Sequence, residues 1–365
     1  MKNQKLRISK IINYAGAFIA LLIGSGFATG QELMQFFASY GLIGIGSILL
    51  VLILLAFVGV QFVKYGNKYK FENPNDIYVH ICGNKLGRFY DYFSVLFLFL
   101  SFTVMIAGAQ ATAVQHYNAS SAIGGIVLGI AVILTVIMGL NRIVDVIGKI
   151  GPFIVVLAMV VGLLSMIKNW SNIGLAQGQL QALLSENKIT QASSFGPIGS
   201  VLSYVGFCML WLAAFCAGIG KNAEVYEEAK KGQVLGAIGF SLGTAMMSFA
   251  IFLSIGKVYD SQIPSLILAG EISPLLANIF SILIMLGIYT TAVPLLWNVT
   301  ARFFKEGSSQ FKVATLILGA IGIFIGLILK FDKLVNYVYV LNGYLGILLL
   351  IIMIIKAIKE RGDTN

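Results

Sequence analysis

Charged side chains are scarce in this sequence. They account for 11% of its 365 residues, whereas hydrophobic side chains account for 58%, and the mean hydropathy is +0.90. Soluble domains carry about 25% charged residues. A balance so far from that value excludes a soluble globular domain and identifies an integral membrane protein.

Cysteine and histidine are also rare. Cys82, Cys208 and Cys216 form no C-x-x-C pair, so neither a disulfide framework nor a thiolate metal site is indicated. His80 and His116 are too far apart in the sequence to suggest a metal pair. The apolar segments hold no H-x-x-H, no serine with a base and no paired aspartates, so neither an enzyme nor a cofactor is expected.

Long polar stretches are absent as well, and what remains is a series of apolar segments. Each has about 20 residues or more, which is enough to cross a hydrocarbon core as a helix. We therefore expect a single membrane transport domain over residues 1–365, with ten spans. The expected spans are 11–38, 41–64, 89–116, 121–140, 143–168, 196–219, 233–256, 273–303, 311–329 and 333–357.

Basic residues set the orientation of these spans. With the N-terminus inside the cell, most of the 25 lysine and arginine residues fall in the inner segments, as expected for short cytoplasmic loops. This distribution predicts a multi-pass protein of a bacterial-type plasma membrane, with both termini in the cytoplasm. The net charge of +10 follows from this topology, and no nucleic-acid partner is indicated.

The ten spans divide into two halves of five, which cover about 11–168 and 196–357. An odd number of spans in each half makes the second half inverted relative to the first. Three short helices are expected outside the spans. The first begins at Pro74, after Asn73 as N-cap, and closes at Gly83, and the other two cover 174–186 and 264–271.

Span 1 carries the strongest indication of a site. Gly24-Ser25-Gly26-Phe27 and Gly30-Gln31-Glu32 interrupt it with three glycines and a carboxylate. Unwound backbone at membrane depth is tolerated only where protein or a water-filled cavity satisfies it. The corresponding span 6 holds Ser203-Tyr204-Val205-Gly206-Phe207-Cys208 near its middle. We expect a break there too, with close helix packing through the glycine as the alternative.

These segments, together with Tyr289-Thr290-Thr291 in span 8, resemble those of the amino acid-polyamine-organocation superfamily, which has the LeuT-type fold. More narrowly, the chain looks like the YkvI-type bacterial membrane proteins. The resemblance implies an all-α membrane protein of ten helices in a five-plus-five inverted repeat, with helices 1 and 6 broken. It also implies a pocket lined by spans 1, 3, 6, 8 and 10, and amino acids, amines or related small solutes as substrates.

The break in span 1 is the expected substrate site. Amides exposed there favour an anion, so a substrate carboxylate would bind the backbone of Ser25, Gly26 and Phe27. The alternative is a kinked helix that packs closely through its glycines without a ligand. The residues expected to bind substrate are Gly24, Ser25, Gly26, Phe27, Glu32, Thr103, Tyr204, Gly206 and Phe207.

Glu32 is the acidic residue expected well inside the membrane. Three interpretations stay open. Glu32 binds a substrate ammonium, or it carries a proton in a proton-coupled cycle. In the third interpretation it caps the second half-helix, because Thr29-x-x-Glu32 matches a capping box.

Span 8 suggests a cation site. Pro294 cannot donate to the residue four positions earlier, so it frees the carbonyl of Thr290. The alternative is that the adjacent threonine hydroxyls bond only to their own helix. By resemblance, the expected sodium ligands are the carbonyls of Ala20, Ile23 and Gly287 and the hydroxyls of Thr290 and Thr291.

Together these features predict a symporter of a small amino acid or related organic amine that works by alternating access and is coupled to sodium. Two alternatives stay open. One is a proton-coupled transporter of the same fold, in which Lys149 of span 5 takes the place of sodium. The other is a ligand sensor or receptor subunit that binds without transport. The expected partners are a small-molecule substrate and the lipid bilayer.

Overall fold

The computed structural model describes residues 6–120, 122–139 and 144–362, and the side chains of 144–152 and 361–362 lie outside this description. The described residues form helices joined by short connections and include no strand, so the predicted all-α class is confirmed. The α-helices, α1 to α17 in chain order, are Ile8–Leu22, Ser25–Thr29, Gln31–Phe36, Gly41–Gly46, Ile48–Tyr69, Asp76–Tyr117, Ile123–Met138, Val144–Lys168, Ile173–Ser185, Gly196–Asn222, Tyr226–Leu253, Ile255–Val258, Pro264–Ile272, Pro274–Ala301, Ser309–Ile328, Phe331–Val335 and Leu341–Gly362.

Most of these helices are suited to a bilayer. In the described part of the chain, 7 helices are long and apolar enough to span it, and an eighth candidate is Phe153–Lys168 with Trp170–Ser185, a pair bent by 66°. Two shorter apolar helices, α1 and α7, complete the set, with which the ten expected spans are compatible. Large apolar side chains such as Phe324 and Ile328 on α15 stay exposed, and a hydrocarbon environment accounts for them.

Span 1 is interrupted, as predicted. Helix α1 ends at Leu22, and Ile23 and Gly24 adopt extended backbone conformations before α2 begins. A second interruption follows at Gly30, whose φ of 81° is left-handed and separates α2 from α3. Span 1 is therefore three short helices in series.

Span 6 is not interrupted, and the break predicted there is wrong. Helix α10 runs continuously from Gly196 to Asn222. A Cβ built on Gly206 would overlap the carbonyl oxygen of Gly343 on α17. The glycine allows two backbones to cross closely and does not unwind the helix, which is the alternative that the sequence left open.

Span 10 contains an irregularity that the sequence analysis did not predict. A π-helical segment, Asn336–Val340, lies between α16 and α17. Segments of this kind are rare and occur frequently at functional sites. Its last turn brings Tyr339 toward the break in span 1.

The three short helices outside the spans are confirmed. Helix α6 begins at Asp76 and bends at Gly83, whose φ of 74° lies outside the helical region. Helices α9 and α13 cover Ile173–Ser185 and Pro264–Ile272. Helices α9 and α13 lie within one residue of their predicted ranges, whereas α6 begins two residues after the predicted start at Pro74.

Both described ends of the chain lie on one face of the helix bundle, which we call the terminal face. Arg7 pairs there with Glu228 at 2.8 Å, and Lys64 pairs with Glu360 at 3.4 Å. The opposite end of the bundle, the far face, includes Glu271. Two ends on one face agree with an even number of spans, and the assignment of that face to the cytoplasm stays a prediction.

Candidate functional site

The break in span 1 is held by two neighbouring helices. The Thr291 hydroxyl on α14 donates to the carbonyl of Ile23 at 2.8 Å. The Ser265 hydroxyl on α13 donates to the carbonyl of Ala28 at 2.8 Å. These contacts satisfy backbone carbonyls that an interrupted helix leaves open.

Glu32 on α3 is buried against the break, with 1% of its surface exposed. The Tyr204 hydroxyl on α10 donates to its Oε1 at 2.8 Å, and its Oε2 has no hydrogen-bond partner among the described residues. A Cβ built on Gly26 would overlap Oε2 and lie 3.0 Å from the Cβ of Glu32. Glycine at position 26 therefore allows the carboxyl group to fold against the break.

The carboxyl group of Glu32 lacks a counter-charge. Of the charged side chains in the described ranges, Glu32 and Glu228 are buried. Glu228 begins α11 near the protein surface, where the Arg7 guanidinium covers it and binds it at 2.8 Å. Glu32 lies deeper and makes no ion pair with a described residue. A buried carboxyl group without a cation marks a place where a ligand cation or a proton is expected.

The geometry does not support the capping-box interpretation of Glu32. The Thr29 hydroxyl donates to the carbonyl of Gly26 at 3.1 Å and accepts from the amide of Gln31 at 3.3 Å. The carboxyl group instead binds Tyr204, and the start of α3 has no side-chain cap hydrogen bond.

An aromatic cluster, which we define as Phe36, Tyr204, Phe207, Trp211 and Tyr339, surrounds the Glu32–Tyr204 pair. The ring of Phe207 lies 4.9 Å from that of Tyr204 and stacks on Tyr339 at 4.7 Å. Trp211 packs edge-on against Tyr339 at 5.5 Å. Phe36 and Trp211 were not among the predicted residues. The four-residue spacing of Phe207 and Trp211 on one helix face is the signal that identifies the latter.

Tyr339 contributes a second unsatisfied polar atom beside the break. Its side chain is fully buried and its hydroxyl makes no hydrogen bond among the described residues. That hydroxyl lies 3.6 Å from a Cβ position built on Gly24. Two unpartnered oxygen atoms, one on Glu32 and one on Tyr339, therefore flank the interrupted backbone.

Helix α6 meets the break through residues other than the predicted Thr103. The amide of Ser25 points at the Met105 sulfur, 3.4 Å away, and a Cβ on Gly108 would lie 2.8 Å from the Cβ of Ser25. The Thr103 hydroxyl bonds the carbonyl three residues earlier at 2.7 Å, and its own carbonyl faces Gly326 on α15. Thr103 is therefore on the wrong face of α6 to bind a ligand at the break.

Phe27 and Gly206 also differ from their predicted roles. Phe27 packs on Phe240 of α11 at 5.1 Å, and Phe240 stacks on Tyr204 at 6.5 Å, so Phe27 borders the aromatic cluster from that side. The backbone of Gly206 is covered by Gly343 and Gly346 of α17 and offers no open face to a ligand.

The predicted cation ligands are brought together in part. The carbonyl of Ile23 and the hydroxyl of Thr291 are in contact across α1 and α14. The Thr290 hydroxyl donates to the carbonyl of Gly287 at 3.0 Å within α14, and Ala20 lies in the last turn of α1. Each threonine oxygen retains lone pairs for an ion while it donates its proton.

The described residues offer few other side chains that could hold a cation or take its place. In the described ranges, no group of three or more His, Cys, Asp or Glu side chains is arranged to hold a metal ion. The side chain of Lys149, the predicted alternative to sodium, lies outside the described residues.

No family model matches this chain. It is 24% identical over 348 residues to the uncharacterized protein YyaD of Bacillus subtilis, a match that covers 93% of this chain and 95% of that protein. It is 26% identical over 149 residues to the uncharacterized membrane protein YkvI of the same organism, covering 40% of this chain and 42% of that protein.

Solved structures of transporters share its architecture. MhsT in complex with L-phenylalanine matches with a TM-score of 0.61 at 16% identity, over 96% of this chain and 89% of that chain. A manganese transporter mutant of Eremococcus coleocola gives 0.56 at 14%, over 96% and 80%. Mhp1, a nucleobase-cation-symport-1 family transporter, gives 0.51 at 15%, over 90% and 74%. These similarities show that the chain has the LeuT-type fold.

Proposed function

We propose that the protein is a secondary active transporter of a small amino acid or related organic amine, that it works by alternating access, and that it is coupled to sodium. One observation carries the proposal: the interrupted span 1 holds a buried carboxyl group, Glu32, with an unpartnered oxygen. Unwound backbone and ionisable groups at membrane depth occur together where a substrate or ion binds.

In this proposal the structure corresponds to a closed state of the alternating-access cycle, because Ser25, Phe27 and Glu32 at the break are all buried. Toward the far face, Phe36 and Phe37 pack on Tyr204, at 5.3 and 4.8 Å between ring centres. Toward the terminal face, Arg7 ties the start of α1 to Glu224 and Glu228, each at 2.8 Å. Opening one side while the other stays closed would expose the break to each compartment in turn.

In this proposal sodium binds where span 1 meets α14. The Ile23 carbonyl and the Thr291 hydroxyl supply the first two oxygens, and Ala20, Gly287 and Thr290 supply the others. The Ile23–Thr291 contact already joins the break to α14 at 2.8 Å. A cation there would stabilise the carbonyl end of the broken helix and favour the substrate-binding arrangement.

Uptake into proteoliposomes tests the proposal. The purified protein is reconstituted and supplied with radiolabelled amino acids and amines under an inward sodium gradient, with potassium replacing sodium in a parallel set. Sodium-dependent accumulation supports the symporter. Accumulation that ignores sodium removes sodium coupling, and ligand binding without accumulation indicates a sensor.

A threonine pair locates the ion. Thr291→Val removes the hydroxyl that reaches Ile23, so we expect it to abolish sodium dependence. Thr300→Val is the matched control, because Thr300 is buried on the same helix and bonds only the carbonyl of Leu296, at 3.0 Å. Equal loss in both variants would show a general defect of α14 and would remove the proposed ion site.

Proton coupling is the second candidate, and Glu32 favours it. A carboxyl group with one donor and one unpartnered oxygen can exchange a proton as the site opens. In that case a pH gradient drives uptake without sodium, and Glu32→Gln abolishes the response to pH while Thr291→Val does not.

A further inference from the structure

The carboxyl group of Glu32 occupies the position expected for the carboxylate of an amino acid substrate. Its Oε2 would overlap a Cβ built on Gly26, so one side of the Gly26 backbone is already covered by an acidic group of the protein. The sequence predicts that a ligand carboxylate binds the backbone of Ser25 and Gly26. A bound ammonium would hold Glu32 in its ionised form, and a ligand that also brought its own carboxylate there would then meet like charge at short range.

No described side chain of the protein relieves this conflict. No lysine or arginine side chain is buried among the described residues, so no protein cation is available to balance a second carboxylate. Desolvated like charges repel much more strongly than exposed ones. A ligand ammonium, in contrast, would find one free acceptor on Glu32 and another on the hydroxyl of Tyr339.

The aromatic cluster favours the same ligand. Ring faces attract cations, and stacked or edge-on rings provide an apolar wall for a hydrocarbon body. Phe207, Trp211 and Tyr339 lie within 4.7 to 5.5 Å of one another between ring centres. This apolar wall therefore extends from Tyr339, whose hydroxyl is one of the two unpartnered acceptors, to Phe207 and Trp211.

We propose that the site takes a singly charged amine with an apolar or aromatic body and discriminates against the corresponding α-amino acid, with Glu32 as the residue that sets this preference. The inference rests on the transport function proposed above and narrows its substrate class. The amine binds Oε2 of Glu32 and the hydroxyl of Tyr339, and its body packs on the aromatic cluster.

Matched ligand pairs test the preference. The detergent-purified full-length protein is heated with phenethylamine or L-phenylalanine, and with isoamylamine or L-leucine, at a series of concentrations. Members of a pair differ by one carboxylate. A ligand that binds the folded state raises the unfolding temperature by mass action. We expect each amine to reach half-maximal stabilisation at a concentration at least about tenfold below that of its amino acid, as one lost charge conflict of about 1.4 kcal/mol implies.

Two variants assign the preference to Glu32. Glu32→Gln keeps the shape and the acceptor for Tyr204 and removes the negative charge, so we expect the ratio between amine and amino acid to fall at least about tenfold. Glu271→Gln is the control, because Glu271 is also acidic but pairs with Lys257 on the far face at 2.6 Å. It should leave the ratio unchanged.

The outcomes separate this inference from the function on which it rests. If amino acids stabilise the protein at least as well as their amines, the inference is wrong and the transporter proposal stands. If the preference survives in Glu32→Gln, the role of Glu32 is wrong. If no amine or amino acid in the wider uptake screen binds or is transported, the proposed function itself is wrong.

Discussion

At the scale of single residues, the site depends on the close contact between Gly26 and the carboxyl group of Glu32. Glu32 can turn back over the break only because position 26 has no side chain. The same carboxyl group then accepts from Tyr204 and leaves its second oxygen open. The absence of a side chain at Gly26 thus allows the acidic group of Glu32 to lie beside the break.

Substitution of that glycine tests the pairing. In Gly26→Ala the new methyl group overlaps the Glu32 carboxyl group, so we expect a loss of about 1–3 kcal/mol of stability from overpacking, together with loss of ligand-dependent stabilisation. The measurement is the unfolding temperature of the purified protein with and without amine.

The matched control for this change is Gly178→Ala. Gly178 lies on α9 with nothing within 4 Å of its Cβ position, and alanine in a helix is favoured over glycine by about 0.5–1 kcal/mol. We expect a small gain in unfolding temperature and an unchanged ligand response. Unaltered ligand response in Gly26→Ala itself would contradict the pairing.

The sequence predicted part of this residue-scale picture. Gly24, Gly26 and Glu32 stand out because glycines and an acid are unusual within an apolar span. Thr103 was a natural guess for the α6 contribution, but Met105 and Gly108 make the contact. Tertiary packing sets the rotation of a long apolar helix. Several sides of α6 are apolar, so the sequence does not indicate which side is turned toward the site.

At the scale of helices, α10 and α17 cross almost backbone to backbone. Gly206 on α10 meets Gly343 and Gly346 on α17, and Ser203 donates to the carbonyl of Val340 at 3.4 Å. The crossing holds the aromatic residues of both helices against each other. Gly206, near which the sequence predicted a break in the helix, is therefore a packing contact.

Alanine substitutions on one helix separate these two roles. Gly206→Ala places a methyl group on the carbonyl of Gly343, and we expect it to destabilise the protein by about 1–3 kcal/mol. Gly218→Ala on the same helix has nothing within 4 Å and should be neutral or slightly stabilising. Thermal unfolding in detergent measures both, and equal midpoints would contradict the close crossing.

Helix boundaries were predictable where the chemistry is local. Pro264 is the first residue of α13, and Asn73 and Pro74 precede the start of α6 at Asp76 by two to three residues, because proline and capping residues act within about one turn. The π-helical segment Asn336–Val340 was not predictable, because its sequence, Asn-Tyr-Val-Tyr-Val, is also compatible with a regular helix. Packing of Tyr339 against Phe207 and Trp211 accompanies the irregular turn.

At the scale of the whole molecule, the site is sealed by contacts of different kinds on its two sides. Aromatic packing lies on its side toward the far face, whereas ion pairs of Arg7 join the start of α1 to Glu224 and Glu228 at the terminal face. Arg7 also donates its backbone amide to Glu228 at 2.8 Å. Loss of the Arg7 side chain should therefore loosen the terminal face more than the far face.

Cysteine labelling measures this asymmetry. In a protein that keeps Cys216 as its single cysteine, Arg7→Gln should make alkylation of Cys216 severalfold faster, because that buried thiol lies where α10 meets Gln233 of α11. Lys230→Gln is the control, since it removes an exposed pair with Glu227 and a cation–π contact with Tyr226 and leaves the Arg7 ion pairs in place. Labelling rates that match in the two variants would show that Arg7 does not hold this face closed.

The π-helical segment has a consequence for how such a site can change. A π turn carries one more residue than an α turn, so deletion of a single codon within Asn336–Val340 would restore a regular helix. The helices on either side would keep nearly the same rotation relative to each other, and only the side chains of the widened turn would be displaced. Tyr339 lies in that turn, so its ring would shift within the aromatic cluster without any amino acid exchange, and deletion of one residue would be one route to a new ligand range.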